Sequence, residues 1–166
     1  MQKSLSLLII TVLSCCLLSC KKEPDVAFDN KAFAYNKKKW EQLNIKDYSF
    51  EYQVGGFVAF YPCTIIVRDG KIQELIPKDE QFSYYVEHYS DRYMTIYDIF
   101  KEIENTFNNP MYEKVDKNTY WYCHEILVEY DETYFYPKFV AFNHKGKNMD
   151  ITDTDISYHI IRFEAE

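Results

Sequence analysis

Residues 48–54 alternate apolar and polar side chains with a period of two, and no other pattern in the chain restricts the fold as strongly. The apolar positions are Tyr48, Phe50, Tyr52 and Val54. Successive side chains of a β-strand point to opposite faces, so this alternation predicts a strand with one buried face. A strand of this kind must pair with others to form a sheet.

The next segments predict how that sheet continues. Gly55-Gly56 is expected to turn the chain, and residues 57–68 are expected to form a second strand with Cys63 on its apolar face. Asp69-Gly70 then separates this strand from the β-rich run 71–76. Both residues of Asp-Gly tolerate positive φ, so the dipeptide predicts a two-residue hairpin turn.

Two segments have helical spacing. The first is residues 29–43, with Asp29 or Asn30 as its N-cap, and the second begins at Thr95 with an apolar stripe made of Ile96, Ile99, Phe100, Ile103 and Phe107. Strands are predicted again near residues 119–130, 136–143 and 156–163, while residues 77–94 show no clear period. The order helix, three strands, helix, three strands predicts an α+β fold in which an antiparallel β-sheet carries two helices.

The N-terminus has the layout of an export signal. Lys3 precedes an apolar run, residues 5–18, of about 14 residues, whereas a bilayer-spanning helix needs roughly 20. The run ends in Leu17-Leu18-Ser19-Cys20, which resembles the lipobox of bacterial lipoproteins, where cleavage precedes a cysteine that carries diacylglycerol. Two alternatives remain: a cleavage box that ends at Cys15, and an ordinary signal peptide with a chance cysteine.

The lipobox divides the chain and predicts its location. Residues 1–19 would be the signal peptide, residues 20–30 a tether lipidated on Cys20, and residues 31–166 a single α+β domain. We therefore expect a cell-envelope protein held by membrane lipid through acylated Cys20 and facing the periplasm or the exterior. Lys21 after the anchor favours the outer membrane.

The cysteine count leaves two residues in the domain. Cys15 and Cys16 leave with the signal and Cys20 carries lipid, so Cys63 and Cys123 remain. Disulfides persist in exported proteins, and a bridge closing a loop of about 60 residues would contribute about 4 kcal/mol. Two buried free thiols are the equally weighted alternative.

Several short motifs carry a family resemblance. They are Trp40, Asp47–Tyr52, Cys63, Val67–Ile72, Thr95-Ile96, Val128–Asp131 and Tyr136-Pro137. Over about residues 38–163 the chain resembles a family of small bacterial lipoproteins defined as a domain of unknown function (family 6174 type). The resemblance implies the fold and an envelope location, and it implies no catalytic residue. Phe135 stands where glycine is common in the family, and Cys63 stands alone where members often carry two cysteines.

Catalytic and metal-binding motifs are absent from the sequence, so no catalytic residue, metal ligand or cofactor is assigned. Cys123 and His124 are neighbours on a predicted strand and point to opposite faces, which prevents a direct nucleophile–base pair. Residues 148–155 carry oxygen side chains suited to calcium, but the segment lacks the glycine and glutamate positions of an EF-hand loop. A solvated turn is the favoured interpretation.

The aromatic residues provide the remaining functional prediction. Tyrosine combines a large rigid surface with a polar tip, so Tyr84, Tyr85, Trp121 and Tyr136 are candidate binding residues, although tyrosine also simply favours strands. The formal net charge of −7 argues against a nucleic-acid partner. We expect a non-enzymatic module that binds a protein or a small ligand. The alternatives are an envelope-polymer hydrolase that uses His124, and an enzyme inhibitor that inserts the aromatic segment 77–94.

Overall fold

The computed structural model describes residues 25–56, 61–151 and 154–166. Within these residues the α-helices are α1 (Asn30–Leu43), α2 (Ser83–His88) and α3 (Ile96–Asn108), and short 3₁₀ helices at Glu80–Phe82 and Ser90–Arg92 flank α2. The strands are β1 (Tyr48–Gly56), β2 (Cys63–Arg68), β3 (Lys71–Pro77), β4 (Met111–Lys114), β5 (Tyr120–Tyr130), β6 (Pro137–Lys147) and β7 (Ile156–Ala165).

The strands form one antiparallel sheet in the order β3-β2-β1-β7-β6-β5-β4. The pairing of β1 with β7 joins the first three strands to the later ones, and it connects residues far apart in sequence, such as Tyr52 and Ile160. The predicted α+β class with an antiparallel sheet is confirmed. The described residues contain seven strands and three α-helices, whereas the sequence predicted six strands and two helices.

The core lies between one face of the sheet and the helices α1 and α3. The alternation of β1 is confirmed, because Tyr48, Phe50 and Tyr52 are buried while the residues between them are half-buried. From α3 the predicted stripe faces them, with Ile96, Ile99, Phe100 and Ile103 buried. Removing each such side chain from water contributes roughly 1.5–3 kcal/mol, which fixes α3 on the sheet.

Local signals set the predicted helix starts and the hairpin turn. Asp29 caps α1 by accepting a hydrogen bond from the backbone N–H of Ala32 at 2.9 Å. Thr95 and Asp98 form a complete capping box at the start of α3. Asp69-Gly70 has φ values of 49° and 71°, as the predicted turn between β2 and β3 requires.

Three features of the strands and helices differ from the sequence predictions. Gly55-Gly56 does not turn the chain but completes β1, where a Cβ on Gly55 would lie 2.6 Å from the Ser157 hydroxyl oxygen on β7. The second strand begins at Cys63, and residues 57–60 lie outside the described residues. Helix α2 and strand β4 were not predicted.

The N-terminal segment is attached to the sheet. The Ala27 N–H donates to the His124 carbonyl oxygen at 2.8 Å, and the Ala27 carbonyl oxygen accepts from Ile126 N–H at 2.9 Å. The Phe28 ring lies 5.4 Å from Phe33 and 5.1 Å from Phe107. The last residues of the predicted tether are therefore packed against the domain. The predicted signal peptide and Cys20 lie outside the described residues, and none of the described helices is long and apolar enough to cross a membrane.

The candidate disulfide is not formed. Cys63 and Cys123 are buried free thiols. They lie on β2 and β5, which are separated by β1, β7 and β6. Four strand spacings of about 4.8 Å place them roughly 19 Å apart, whereas a disulfide needs α-carbons within about 7 Å. Burial raises the pKa of Cys63 to about 12 and that of Cys123 to about 11, so both remain protonated at neutral pH.

Candidate functional site

Strand β3 forms one edge of the described sheet, and some of its backbone groups face away from β2, with which it pairs. Lys78 N–H donates to the Pro62 carbonyl oxygen at 3.0 Å, which fixes the alternation of bonded and non-bonded pairs along β2 and β3. Hydrogen-bonded and non-hydrogen-bonded pairs alternate along the two strands. The pair of Leu75 and Ile65 lies three positions from the bonded pair of Lys78 and Pro62, so it is a non-hydrogen-bonded pair. Its N–H and C=O point outward from the sheet.

The same pattern holds on the other side of the bulge in β3. The register shifts between Ile66 and Val67, and Ile72 opposes Val67 next to the turn. The two-residue hairpin turn makes the closing pair, Arg68 and Lys71, a bonded pair, so the N–H and C=O of Ile72 also face outward. Two positions on β3 therefore present a donor and an acceptor to a neighbour.

A groove of about 460 Å³ runs between β3 and α2, and we call it the β3 groove. Its apolar lining comes from Ile72, Leu75, Pro77 and Val86. Glu74 on the strand and Glu87 on the helix add acidic groups, and none of the described residues that line it is basic. Clefts that bind ligands have volumes of roughly 300–1,000 Å³, so the groove is large enough for one.

Helix α2 is held beside β3 by a short set of local contacts. Asp79 accepts from the Gln81 N–H at 3.1 Å and starts the preceding 3₁₀ helix. The Ser83 hydroxyl donates to the Glu80 carbonyl oxygen at 2.7 Å. Val86 is 2% exposed and anchors the helix to the core. The helix therefore forms one wall of the groove although it is only six residues long.

Aromatic rings cover the other side of α2, and we call them the aromatic cluster: Tyr61, Phe82, Tyr84, Tyr85, His88 and Tyr89. Tyr61 stacks on Phe82 with ring centroids 4.5 Å apart and on Tyr85 at 4.6 Å. Tyr84 is 67% exposed and Tyr85 41% exposed. Tyr84 precedes Glu87 by three residues on α2, but it does not line the groove itself. The two predicted binding residues are therefore exposed and lie together.

The other two predicted binding residues are elsewhere. Trp121 lies on β5 near the opposite edge of the sheet, stacked on Tyr112 at 4.8 Å, and its indole N–H donates to Glu113 at 3.1 Å. Tyr136 is 6% exposed and packs against Phe163 at 4.6 Å. Tyr136 is a core residue with almost no surface to offer a partner, so its assignment as a binding residue is corrected. The four predicted residues form no common site.

His124 has no catalytic partner among the residues that the structure describes. Its Nδ1 is buried without a hydrogen-bond partner there. Cys63 is four strand positions away across the sheet, and the neighbouring Glu125 carboxylate accepts from the Asn143 side-chain amide at 2.7 Å. Residues 25–56, 61–151 and 154–166 contain no group of three His, Cys, Asp or Glu residues that could hold a metal ion. In the segment 148–155, for which a solvated turn was favoured over a calcium loop, Asp155 accepts from the His144 N–H, and residues 152–153 lie outside the described part.

His144 is a buried titratable residue that the sequence analysis did not single out. Its side chain has no exposed surface, and its ring lies 4.6 Å from Tyr112 and 5.2 Å from Trp121. Burial lowers the pKa of His144, while the Asp155 carboxylate, with Oδ1 3.7 Å from Nδ1, acts in the opposite direction. The alternation Val140, Phe142, His144 along β6 was the available signal that this ring faces the core.

The fold and the groove together define an α+β domain whose antiparallel sheet has one open edge beside a short helix. The chain belongs to the family of unknown function (DUF6174), whose model matches residues 32–165. No curated protein and no solved structure matches the chain at a significant level.

Proposed function

We propose that this protein is a lipid-anchored envelope module that binds a macromolecular partner at the β3 groove and catalyses no reaction. The observation that carries the proposal is the edge of β3 beside α2, to which no described residue outside β2 bonds, with Tyr84 exposed on the same short helix. Exposed aromatic side chains are enriched where proteins bind one another. The groove is also lined by both apolar and acidic side chains. An edge strand that only faces water would not need the apolar ones.

The position of the groove suits a protein tethered by its N-terminus. If Cys20 carries the lipid, six residues separate it from Ala27, which is bonded to β5, so the path is seven Cα–Cα steps. Such a segment spans about 25 Å at most when fully extended. Strand β3 lies five strand positions from β5, or roughly 24 Å across the sheet. The groove therefore lies at the edge of the sheet opposite to the anchored segment.

The partner-binding part of the proposal is tested by crosslinking in cells. The tagged chain and a Tyr84→Ala variant are crosslinked, purified and analysed by mass spectrometry. The matched control is Tyr97→Ala on α3, because Tyr97 is 60% exposed and lies beside Trp40 and Tyr48, outside the β3 groove. We expect one abundant partner whose recovery falls at least fivefold with Tyr84→Ala and is unchanged with Tyr97→Ala. Equal recovery from all three chains, or no partner with crosslinkers of different reach, would refute the proposal.

The lipid anchor is tested separately with labelled palmitate. Cys20→Ala is expected to lose the label and to leave the membrane fraction, because the acylated sulfur is removed. Cys15→Ala is the matched control, since Cys15 ends the alternative cleavage box. If Cys15→Ala loses the label and Cys20→Ala keeps it, the anchor is at Cys15. If neither variant loses the label, lipidation at these cysteines is excluded.

A further inference from the structure

The two edges of the sheet differ in how their backbone groups are covered. At one edge, β4 has only four residues and pairs with the first part of β5. Ala27 bonds to the next part of β5, at His124 and Ile126. At the other edge, β3 has seven residues, and no described residue outside β2 hydrogen-bonds to its backbone. An uncovered edge strand is a template for one more strand. The donors and acceptors of Ile72 and Leu75 give this template a defined register.

The charges around β3 select the kind of strand that would fit. Glu74 opposes Ile66 and lies on the face of β3 away from Leu75, whereas Glu87 lies on α2, so an acidic group stands on each face of the edge strand. Lys71 and Lys78 stand at the two ends of the strand, and the Lys78 ammonium lies 3.5 Å from the Glu51 carboxylate. The described residues that line the groove therefore include two acidic side chains and no basic one. A basic side chain is favoured there, and the net charge of −7 favours a basic ligand at longer range.

From these observations we infer that the ligand of the β3 groove is an extended basic peptide segment that pairs with β3 as an additional strand. The inference rests on the proposed function and names the ligand class of the same site. Backbone hydrogen bonds to Ile72 and Leu75 hold the segment. Its apolar side chains contact Leu75, Pro77 and Val86, and its basic side chains reach Glu74 and Glu87. Extended peptides bind several other domains by adding a strand beside a helix in this way.

The probe is a capped eight-residue peptide of alternating lysine and valine, added to the purified mature chain. Amide hydrogen exchange is followed residue by residue. We expect exchange at Ile72 and Leu75 to slow at least tenfold at saturating peptide, because their outward N–H groups become bonded. The amide of Ile76 is the internal control, since Ile76 occupies a bonded position opposite Thr64 and should not change. Unchanged exchange at Leu75 with millimolar peptide would overturn the inference.

Two modified peptides separate strand addition from general attraction. A peptide with proline in place of every second valine lacks the corresponding N–H donors, and a peptide with glutamate in place of lysine reverses the charge. Both are expected to leave Leu75 exchange within twofold of the free protein. Protection by the proline peptide equal to that by the original would overturn pairing through the backbone. Protection by the glutamate peptide would overturn the charge selection.

A charge reversal in the protein tests the groove itself. Glu87→Lys is expected to weaken binding of the lysine–valine peptide at least tenfold, because it places a like charge on the groove wall. The matched control is Glu132→Lys, an exposed residue in the turn after β5, which is expected to change the affinity by less than twofold. Equal loss in both variants would mean that net charge alone attracts the peptide, and this would overturn the inference.

The failure of this inference is distinguishable from the failure of the proposed function. A partner that is crosslinked through Tyr84 but is not displaced by the lysine–valine peptide would leave the proposed function in place and overturn strand addition. The absence of any crosslinked partner, together with no effect of the peptide on Leu75 exchange, would overturn both.

Discussion

The two edges of the sheet show opposite ways of handling an unpaired strand. Beyond the four residues of β4, the edge of β5 is covered by the chain itself, since the Ala27 N–H and C=O both bond to β5 and Phe28 packs against the core beside it. The edge at β3 has a bulge and a lysine at its first residue, and among the described residues only those of β2 bond to its backbone. Residues near the N-terminus of the described part therefore stabilise one edge of the sheet, whereas the β3 edge can accept a ligand. We call this difference the division between the two edges. The following predictions test this division.

The largest expected effect is at the covered edge. Phe28→Ala removes a half-buried ring that contacts Phe33 and Phe107, and it should lower the free energy of unfolding by about 2 kcal/mol, below the cost of a fully buried phenylalanine. Tyr84→Ala at the open edge should change it by less than about 0.5 kcal/mol, because most of that ring is exposed. Urea unfolding of both variants checks the difference, and similar losses in the two would contradict the division.

An intermediate effect is expected from His144, which lies near the covered edge. Burial lowers its pKa in the folded state, so the unfolded chain binds a proton first as the pH falls below about 6.5. Its contribution to stability is therefore complete above that pH and is lost as the pH falls toward the folded-state pKa, by at most about 1.4 kcal/mol per pH unit. His144→Phe should flatten the stability profile between pH 7 and pH 5.

The comparison variant for this profile is His88→Gln, which changes an exposed histidine of the aromatic cluster on α2. It retains His144 and is therefore expected to retain the fall in stability. If His144→Phe folds poorly, His144→Met is the second variant, because methionine also fills the space between Tyr112 and Trp121 without titrating. An unchanged slope in both His144 variants would show that another group causes it.

The smallest expected effect is that of one backbone hydrogen bond. Ala27→Pro removes the N–H that donates to His124 and should lower the free energy of unfolding by about 1 kcal/mol, whereas Ala27→Ser keeps the donor and should change it little.

Each half of the sheet contains one buried thiol, so the rate of thiol labelling in the native protein reports on local opening near each edge. Ala27→Pro should accelerate labelling of Cys123 on β5 and leave that of Cys63 on β2 unchanged. Equal acceleration at both thiols would indicate global opening instead.

Local sequence signals predicted the parts of the fold that local forces form. The capping box at Thr95 and the Asp69-Gly70 turn each act within four residues, and both are present as predicted. Strand β4 could not be predicted in the same way, because all four of its side chains are exposed and show no alternation. Helix α2 is too short to display a period. The position of β7 between β1 and β6 results from pairing over more than a hundred residues, which no local pattern encodes.

The candidate site was predicted only in part. Tyr84 and Tyr136 both lie in tyrosine-rich stretches, yet one is exposed and the other is in the core. The difference arises from the tertiary contacts of Trp40 and Phe163 with Tyr136, which the sequence does not reveal. The β3 groove was not predicted either, since it depends on α2 lying beside a strand that pairs, among the described residues, with β2 alone.

The central position of β7 has a consequence for how the chain reaches its folded state. The strands β1–β3 and β4–β6 are joined in the sheet through β7, the last strand of the chain, and the N–H of Glu166 also bonds to the Asp47 carbonyl oxygen at 3.1 Å. During synthesis from the N-terminus, the sheet cannot close until about residue 165 has emerged. The emerging chain therefore stays incompletely folded until β7 has been synthesised.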